Sequence, residues 1–376
     1  MIIAMKNSVI CTICSNGCRL VVAPSTNGTV AVSGNRCNRG LSFARETFKT
    51  VITGRYFSVE QDKSSDTKLL KQVLGCWDKV LECLQPSLMI HGSPERSDFR
   101  TVVCDTSGSR FIVEQIRCEQ ITARLKIAHL LQKFSRAGLP VTPYRPVPGG
   151  SFIAQWDNQH WMLTDWVSGK SLKRNSFWDD GWRGKAAAEF LTALFNMTSG
   201  MEFNEKPFDL LDYAAQSLQK IKSSHKALYG SMQKVEAYIF DTLGSNYCDI
   251  PVGFCHGDPH PLNMIWGEQK ILSVIDWEFC GVKPILYDAA LIIGCVATEH
   301  PKALYGQFLS HFVGRMRKDL FDSNQLSSLI KPLTVALRIA WLNEWLRRND
   351  EEMVRFEVGY MEYLMEHLDT IIELTR

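Results

Sequence analysis

The stretch from Gly253 to Glu278 constrains the fold more than any other part of this chain. It begins with Gly-Phe-Cys-His-Gly-Asp-Pro-His-Pro-Leu-Asn-Met-Ile and ends with Ile-Leu-Ser-Val-Ile-Asp-Trp-Glu. In the first part, glycine, prolines and an acid interrupt two apolar runs, which is typical of a short loop. The second part is apolar up to its acid and predicts a strand. We therefore expect a polar loop between apolar segments, and then a strand that ends at Asp276.

Three polar residues of this stretch have the chemistry that phosphoryl transfer needs. Asp258 is the candidate base, because a carboxylate is anionic at neutral pH and can orient and deprotonate a hydroxyl group. Asn263 and Asp276 offer an amide and a carboxylate oxygen, which are hard ligands suited to Mg²⁺. The stretch therefore predicts a base beside a magnesium site.

Two motifs carry a resemblance to a known family. His256-Gly257-Asp258 with Asn263, followed by Ile275-Asp276-Trp277-Glu278, resembles the aminoglycoside phosphotransferase and choline kinase-like family of small-molecule kinases. The first motif parallels the H-R-D-x-x-x-x-N loop of protein kinases, and the second parallels their D-F-G. The resemblance implies ATP as phosphoryl donor, Mg²⁺ as cofactor, and a small hydroxylated acceptor such as a sugar, amino sugar or amino alcohol.

The resemblance covers residues 67–376 and implies a bilobal, protein-kinase-like α+β fold. Residues 67–165 would form a small β-rich N-lobe, and residues 166–376 a mainly helical C-lobe with the catalytic loop and acceptor-binding helices. Periodicity predicts the elements of both lobes. The expected helices are Thr67–Leu84, Glu119–Ala137 and Phe208–Leu243, and the expected strands include Arg100–Cys104, Arg110–Ile116, Phe152–Gln155 and Trp161–Trp166.

The same resemblance assigns supporting roles near the two motifs. His256 is expected to brace the loop, and Asp288, in a segment that matches the family's D-x-A, is expected to hydrogen-bond the loop backbone. The segment around Trp166 resembles the hinge between the lobes. Its backbone would meet the adenine edge at Asp165, Trp166 and Val167.

Four further residues are candidates for contact with the acceptor: His260, Glu278, Trp341 and Glu344. In related kinases for amines and amino sugars, C-terminal helices supply acids and aromatic rings to the acceptor pocket. Trp341 and Glu344 lie three apart on one helical face. The alternative for this pair is a packed aromatic stripe beside a solvated acidic end, and the alternative for His260 is simple packing.

One strand departs from the kinase pattern. Arg110–Ile116 aligns with the strand on which kinases carry a lysine for the nucleotide phosphates. Glu114 stands at that position, and alternation places it on the face that would look at ATP. A carboxylate there would repel phosphates unless a metal or a cation intervenes. The candidate cations are Arg100, Arg110, Arg117 and Lys126.

The first sixty residues hold a second feature, a C-x2-C-x3-C-x18-C pattern formed by four of the twelve cysteines. Two short strands, Arg19–Ala23 and Thr29–Ser33, are expected between the third and fourth cysteines. Four thiolates can hold Zn²⁺ or a 4Fe–4S cluster, and a domain this small would gain stability from a metal. A small β-rich metal-binding domain is therefore expected over residues 1–60. Its ligands would be Cys11, Cys14, Cys18 and Cys37.

This segment is similar to a four-cysteine domain that accompanies flavin-dependent oxidoreductases, and more distantly to the iron–sulfur segment of molybdopterin oxidoreductases. The matching residues are Ile10–Leu20 and Ser33–Gly40. The resemblance implies an oxidoreductase partner. The C-x2-C-x3-C opening favours a cluster, but zinc in a descendant of a cluster-binding ancestor and four reduced thiols both remain open.

Composition bears on partners and on location. The formal net charge is +2, so no bulk electrostatic attraction to nucleic acid or to an acidic membrane is expected. No apolar run approaches the about 20 residues that span a bilayer, and the segment Met1–Lys6 lacks the features of a signal peptide. We therefore expect a cytoplasmic protein whose cysteines are reduced thiols or metal ligands.

Two other functions are compatible with the same residues. The kinase-like part could bind a nucleotide or metabolite without turnover, as a regulator coupled to the cysteine module. Glu114 favours this alternative, whereas the intact set of Asp258, Asn263 and Asp276 argues against it. In a third hypothesis, the cysteine module is an electron-transfer adaptor for an oxidoreductase.

Overall fold

The computed structural model describes most of the chain from Lys63 onward and three short strands before it. The described residues are 7–10, 19–24, 30–33, 63–85, 88, 97, 99–244, 247–319 and 324–374. The chain divides into two compact units, residues 1–81 and 82–376. The four predicted metal ligands, Cys11, Cys14, Cys18 and Cys37, lie outside the described residues, so their role stays a prediction.

The first unit contains a small antiparallel sheet in the order β1-β2-β3. Its strands are β1 (Asn7–Ile10), β2 (Arg19–Pro24) and β3 (Val30–Ser33). The register pairs Val22 with Val32 and with Asn7 on its two sides. The two strands expected between the cysteines are therefore confirmed, and β1 is an element that the sequence analysis did not predict.

The predicted helix Thr67–Leu84 is wrong in its second half. The helix α1 spans Lys63–Gly75, and the strand β4 spans Leu81–Leu84. Between them the backbone N–H of Lys79 donates to the Leu74 carbonyl at 3.1 Å, and Asp78 adopts a φ of 54°. This turn reverses the chain, because one left-handed residue ends the helical hydrogen-bond pattern. The apolar residues of β4 fit both periods, which is why the pattern did not reveal the break.

A five-stranded sheet with one helix forms the β-rich part of the second unit, in the strand order β4-β5-β6-β8-β7. The pairs β5–β6, β6–β8 and β7–β8 are antiparallel. The helix α2 buries Ile127, Leu131 and Phe134. From β5 onward this order of strands, helix and hairpin is the predicted one, whereas β4 lies in a segment predicted as helix. The elements are β5 (Phe99–Asp105), β6 (Arg110–Ile116), α2 (Ile121–Arg136), β7 (Ala154–Trp156) and β8 (Gln159–Asp165).

The rest of the second unit is mainly helical. Its helices are α3 (Gly181–Thr198), α4 (Leu210–Ser224), α5 (Lys226–Leu243), α6 (Tyr287–Val296), α7 (Gln307–Asp319), α8 (Asn324–Arg347) and α9 (Glu351–Leu374). The prediction of one helix over Phe208–Leu243 is wrong, because His225 leaves the helical region with φ −137° and ψ 61° and separates α4 from α5. Among the described residues, no helix is both long enough and apolar enough to cross a bilayer.

Two short antiparallel ribbons lie between α5 and α6 in the chain. One pairs β9 (Val252–Cys255) with β12 (Gly281–Pro284), and the other pairs β10 (Met264–Trp266) with β11 (Ile271–Val274). Apolar residues of both ribbons belong to the core that the helices form. The polar loops that leave β9 and β11 are therefore anchored on a buried base.

Candidate active site

The two ribbons bring the ends of the predicted motifs together. The first loop leaves β9 at Cys255 and enters β10 at Met264, and the second leaves β11 at Val274. The backbone N–H of Ile275 donates to the carbonyl of Asn263 at 2.9 Å. This bond places Asp276 one residue beyond the contact with Asn263, although the two are thirteen apart in sequence.

His256 is fully buried and ties the two loops to each other. Its Nδ1 accepts the backbone N–H of Asp258 at 3.1 Å, and its Nε2 lies 3.0 Å from the carbonyl oxygen of Ile275. The ring proton therefore belongs on Nε2, which donates to that carbonyl. Burial lowers the pKa of His256 to about 4, so the ring is neutral at neutral pH, as both bonds require. The ring of His256 therefore connects the backbones of the two loops.

Asp288, in the first turn of α6, holds the same loop from the other side. Its Oδ2 accepts the backbone N–H of His256 at 2.7 Å, and its Oδ1 accepts that of Gly257 at 2.9 Å. Burial raises the pKa of Asp288 to about 6, although the two N–H groups act in the opposite direction. Gly257 has a φ of 85°, and a Cβ there would lie 2.1 Å from the carbonyl oxygen of Phe279. Only glycine fits this position.

Asp258 and Asn263 are joined directly. The Asn263 Nδ2 donates to the backbone oxygen of Asp258 at 2.9 Å and to its Oδ2 at 3.1 Å. Within the described chain, the amide oxygen of Asn263 accepts no hydrogen bond. Asp276 adopts a left-handed backbone, with φ 68° and ψ 54°, which costs on the order of 1–2 kcal/mol for a residue with a Cβ. Strain of this kind clusters where a side chain must point in one direction.

The donor chemistry of Asn263 and Asp276 fits a magnesium ion. Among the described residues, no group of three or more His, Cys, Asp and Glu side chains could hold a metal. Mg²⁺ needs no such cage, because proteins bind it through one or two carboxylates while substrate phosphates and water supply the other ligands. One carboxylate and one amide oxygen on adjoining loops therefore suit Mg²⁺ carried by a nucleotide better than a structural zinc ion.

His260 is buried on the same loop. Its Nδ1 accepts the backbone N–H of Leu262 at 3.0 Å, which caps the short turn before β10. Burial, together with the nearby guanidinium groups of Arg174 and Arg338, lowers the pKa of His260 to about 3. Each guanidinium makes two hydrogen bonds to a glutamate, Arg174 to Glu299 and Arg338 to Glu357. His260 is therefore a neutral ring beside two cations.

Glu114 does not face the site with a free charge. It is 5% exposed, and its Oε1 accepts a hydrogen bond from Arg124 Nη2 at 3.0 Å, while Arg124 Nη1 donates to Glu278 Oε1 at 2.7 Å. Arg124 lies on α2 and was not among the predicted cations. Arg100 lies opposite Glu114 in the neighbouring strand, and Lys126 pairs with Glu205.

The Glu114–Arg124–Glu278 cluster bears on two predictions. Kinases pair a strand lysine with a helix glutamate. Here the strand carries the acid, Glu114, and the helix carries the cation, Arg124. Glu278, proposed as an acceptor contact, is an ion-pair partner of Arg124, and its contact with the acceptor stays a prediction. No sequence signal distinguished Arg124 from the other cations of its helix.

The predicted hinge and the C-terminal candidates are placed as follows. The backbone N–H of Trp166 donates to the Arg110 carbonyl at 2.9 Å, and the contact of this segment with adenine stays a prediction. The carboxylate of Asp165 receives two hydrogen bonds from Arg145, at 2.7 and 3.0 Å. Val167, the third predicted hinge residue, is half-buried, and no described contact of its own excludes a backbone contact with adenine.

Trp341 and Glu344 have different surroundings. The guanidinium carbon of Arg338 lies 4.5 Å from the centre of the Trp341 ring, which places this half-buried ring beside the cations near His260. Glu344 is bound by Arg347 and Arg348 of its own helix. The two members of this predicted pair therefore have different charged partners, and their contact with an acceptor stays a prediction.

Comparison with known proteins agrees with this geometry. Residues 90–318 match the family model described as the phosphotransferase enzyme family. The fold is similar to that of an amicoumacin kinase, with a TM-score of 0.60 and 14% identity over 80% of this chain and 93% of that chain. Among curated proteins, none matches the sequence.

Two further solved structures share the fold. A microcompartment-associated aminopropanol kinase gives a TM-score of 0.59 with 15% identity, over 81% of this chain and 98% of that chain. A choline/ethanolamine kinase family protein from Mesorhizobium loti gives 0.54 with 14% identity, over 78% and 92%. At these identities the likeness concerns the fold alone.

Proposed function

This chain belongs to the phosphotransferase enzyme family, and we propose that it transfers the γ-phosphoryl group of ATP to a hydroxyl group of a small molecule. The single observation that carries this proposal is the joined pair of Asp258 and Asn263, with Asp276 on the adjoining loop. A base, an amide ligand and a carboxylate ligand at one edge are the parts that phosphoryl transfer needs.

Asp258 is proposed to accept the proton of the acceptor hydroxyl as its oxygen bonds to phosphorus and the bond to ADP breaks. The hydrogen bond from Asn263 Nδ2 to Asp258 Oδ2 holds the carboxylate in one orientation. The bond from the Asp258 backbone to His256 fixes the loop beneath it. Such positioning and proton transfer supply a large part of the catalysis in this reaction class.

Asn263 and Asp276 are proposed to hold Mg²⁺ on the nucleotide phosphates, through the amide oxygen of the first and the carboxylate of the second. When bound, this ion neutralises charge that develops on the phosphoryl group. The left-handed backbone of Asp276 and the Ile275–Asn263 bond would keep the two ligands in register. Adenine contact is proposed for backbone groups near Val167.

The acceptor is proposed to be a small hydroxylated molecule. The structural neighbours include kinases whose names point to amicoumacin, aminopropanol and choline or ethanolamine, so their acceptors differ widely. Sugars, amino sugars and amino alcohols remain the starting classes. The alternative function was nucleotide or metabolite binding without turnover, and Glu114 was the residue that favoured it. Because Arg124 binds the charge of Glu114, this alternative loses support.

The test is ATP consumption across a panel of sugars, polyols, amino alcohols and hydroxy acids. Asp258→Asn should lower kcat by about 10²- to 10⁴-fold, which is the usual contribution of a general base. Asp249→Asn, which changes an exposed aspartate just before β9, is the matched control and should keep wild-type activity. Equal activity in wild type and Asp258→Asn would contradict the proposed base.

A further inference from the structure

Lys283 is a buried lysine beside the catalytic loop. It lies on β12 opposite Gly253 of β9 and is only 9% exposed. Its Nζ is 4.8 Å from the centre of the Phe208 ring and 5.1 Å from that of Tyr287. In the described part of the chain, no carboxylate lies within ion-pair distance of this ammonium group.

A buried ammonium without an anion is costly. Removing such a charge from water costs several kcal/mol, and each aromatic face returns about 0.5–2 kcal/mol. The carboxylate of Asp288 is near enough for the charge of Lys283 to lower its pKa, but it is not within ion-pair distance, and both of its oxygens accept hydrogen bonds from the loop backbone. An anionic ligand would supply the missing partner.

The position of Lys283 points to the acceptor rather than to a structural role. A Cβ built on Gly257 would lie 2.9 Å from the Lys283 Cε, so the end of the lysine touches the residue that precedes Asp258. The aromatic rings on which it lies come from α6 and from the segment before α4, both in the helical part of the unit. The end of the lysine is thus held against the loop that carries the proposed base.

Two further cations lie near the loop, each paired with a glutamate. His260, two residues after Asp258, is flanked by Arg174 and Arg338. The acids of this neighbourhood, Glu299 and Glu357, are each bound by one of those two arginines. Because Arg174 and Arg338 are paired, Lys283 is the cation that would repel an amine acceptor and attract a carboxylate.

We propose that the acceptor is a polyhydroxylated carboxylic acid and that Lys283 binds its carboxylate next to Asp258. This inference rests on the proposed phosphotransferase function and narrows it, because it ranks hydroxy acids above amino sugars and amino alcohols. Lys283 orients the acceptor through a charge-assisted hydrogen bond, which is stronger than a neutral one and is directional. Its aromatic neighbours keep the ammonium in place when the site is empty.

The first test uses three acceptors with one carbon skeleton: D-gluconate, D-glucitol and D-glucamine, which differ at C1 as carboxylate, hydroxyl and amine. Wild-type kcat/KM should be about tenfold or more higher for gluconate than for either other compound, as expected for one charged hydrogen bond. Lys283→Met should lower the ratio of gluconate to glucitol by about 10- to 100-fold, mainly through KM. Lys283→Arg should restore part of it.

Lys220→Met is the matched control, because this lysine is exposed on α4. It should keep the wild-type ratio. A wild-type preference for glucamine or glucitol, or an unchanged ratio in Lys283→Met, would overturn the inference while leaving the phosphotransferase proposal intact.

A second measurement does not depend on turnover. With Mg·ADP at saturation, inorganic phosphate is added as the anion probe and the melting temperature is recorded. Phosphate should raise the melting temperature of wild type and Lys220→Met more than that of Lys283→Met, because only the first two keep the ammonium. Equal shifts in all three proteins would overturn the anion site even if no acceptor were turned over, whereas a larger shift with an inert enzyme would count against the phosphotransferase proposal alone.

Discussion

The catalytic loop and the Glu114–Arg124–Glu278 cluster both hold charged or polar side chains in place, but they differ in how far apart in sequence the bonded partners lie. In the loop, the partners of His256 and Asp288 are backbone groups 2, 19, 31 and 32 residues away. In the cluster, Arg124 binds one acid 10 residues away and another 154 residues away. The loop is held by backbone hydrogen bonds and the cluster by side chains alone.

This difference explains why only one of the two regions can be recognised in the sequence. Backbone bonds are available to any residue, so the loop depends on its few special side chains and on the glycine at 257. An ion pair needs only opposite charges within reach. In the cluster, the acid and the base have exchanged positions relative to the kinase pattern, yet a pair still forms.

The largest expected effect is on the cluster. Arg124→Met leaves Glu114 and Glu278 without their shared cation, and it should lower the free energy of unfolding by about 3–5 kcal/mol. Adding Glu114→Gln and Glu278→Gln to the same chain should recover most of that loss, because neutral amides tolerate burial better than unpaired carboxylates. Urea unfolding followed by tryptophan fluorescence measures both changes. A loss below about 1 kcal/mol would mean that the cluster behaves as an exposed pair.

The next-largest effect concerns how low pH changes the stability of the protein through the histidines of the loop. His256 and His260 have pKa values lowered to about 4 and 3, against about 6.5 in the unfolded chain, so the unfolded state binds more protons as the pH falls. Their stabilisation is complete above pH about 6.5 and is lost below it, by about 1.4 kcal/mol per histidine and pH unit.

Asp288 acts in the opposite direction. Its pKa is raised to about 6, so the folded state takes up that proton first, and its contribution is present at low pH and lost as the pH rises through 6. Two histidines against one aspartate leave a net loss of about 3 kcal/mol between pH 6 and pH 4. His260→Gln should reduce the pH slope of unfolding by about 1.4 kcal/mol per pH unit relative to wild type. An unchanged slope would mean that His260 titrates normally.

The smallest effect is expected at Glu344. Its partners Arg347 and Arg348 are about half exposed, and exposed ion pairs contribute about 0–1 kcal/mol. Glu344→Gln should therefore change stability by less than about 1 kcal/mol and should leave kcat/KM nearly unchanged. The matched variant Glu357→Gln removes the fully buried partner of Arg338 and should cost several times more. A large loss of kcat/KM in Glu344→Gln would return this residue to the acceptor site.

The elements of the second unit were predicted well wherever the hydrophobic period was unambiguous. The strands Phe99–Asp105 and Arg110–Ile116 and the helix Ile121–Arg136 match the expected elements within one or two residues. The errors fall where one residue interrupts a continuous apolar pattern, at Asp78 and at His225. Neither residue type breaks a helix by its own propensity, so the pattern alone could not reveal these breaks.

The sequence predicted those site residues whose signal lies in motifs of neighbouring residues. The structure gathers Asp258, Asn263 and Asp276 on adjoining loops, and their roles stay predictions. Lys283 carried a signal that was not used, namely a lone charge within the apolar run Gly-Val-Lys-Pro-Ile-Leu. A charged residue in such a run is either exposed at an edge or buried for a reason, and the sequence does not say which.

The sequence by itself determined the polar loop, the strands around it and the three oxygen-bearing side chains at its edge, because those features depend on neighbours close along the chain. The tertiary structure alone decided that Arg124 binds Glu114 and Glu278, and that Lys283 is buried with no carboxylate of the described residues within ion-pair distance. The physical reason is that ion pairing and burial depend on which distant segments pack together. Side-chain charges act through space and leave no periodic trace in the sequence.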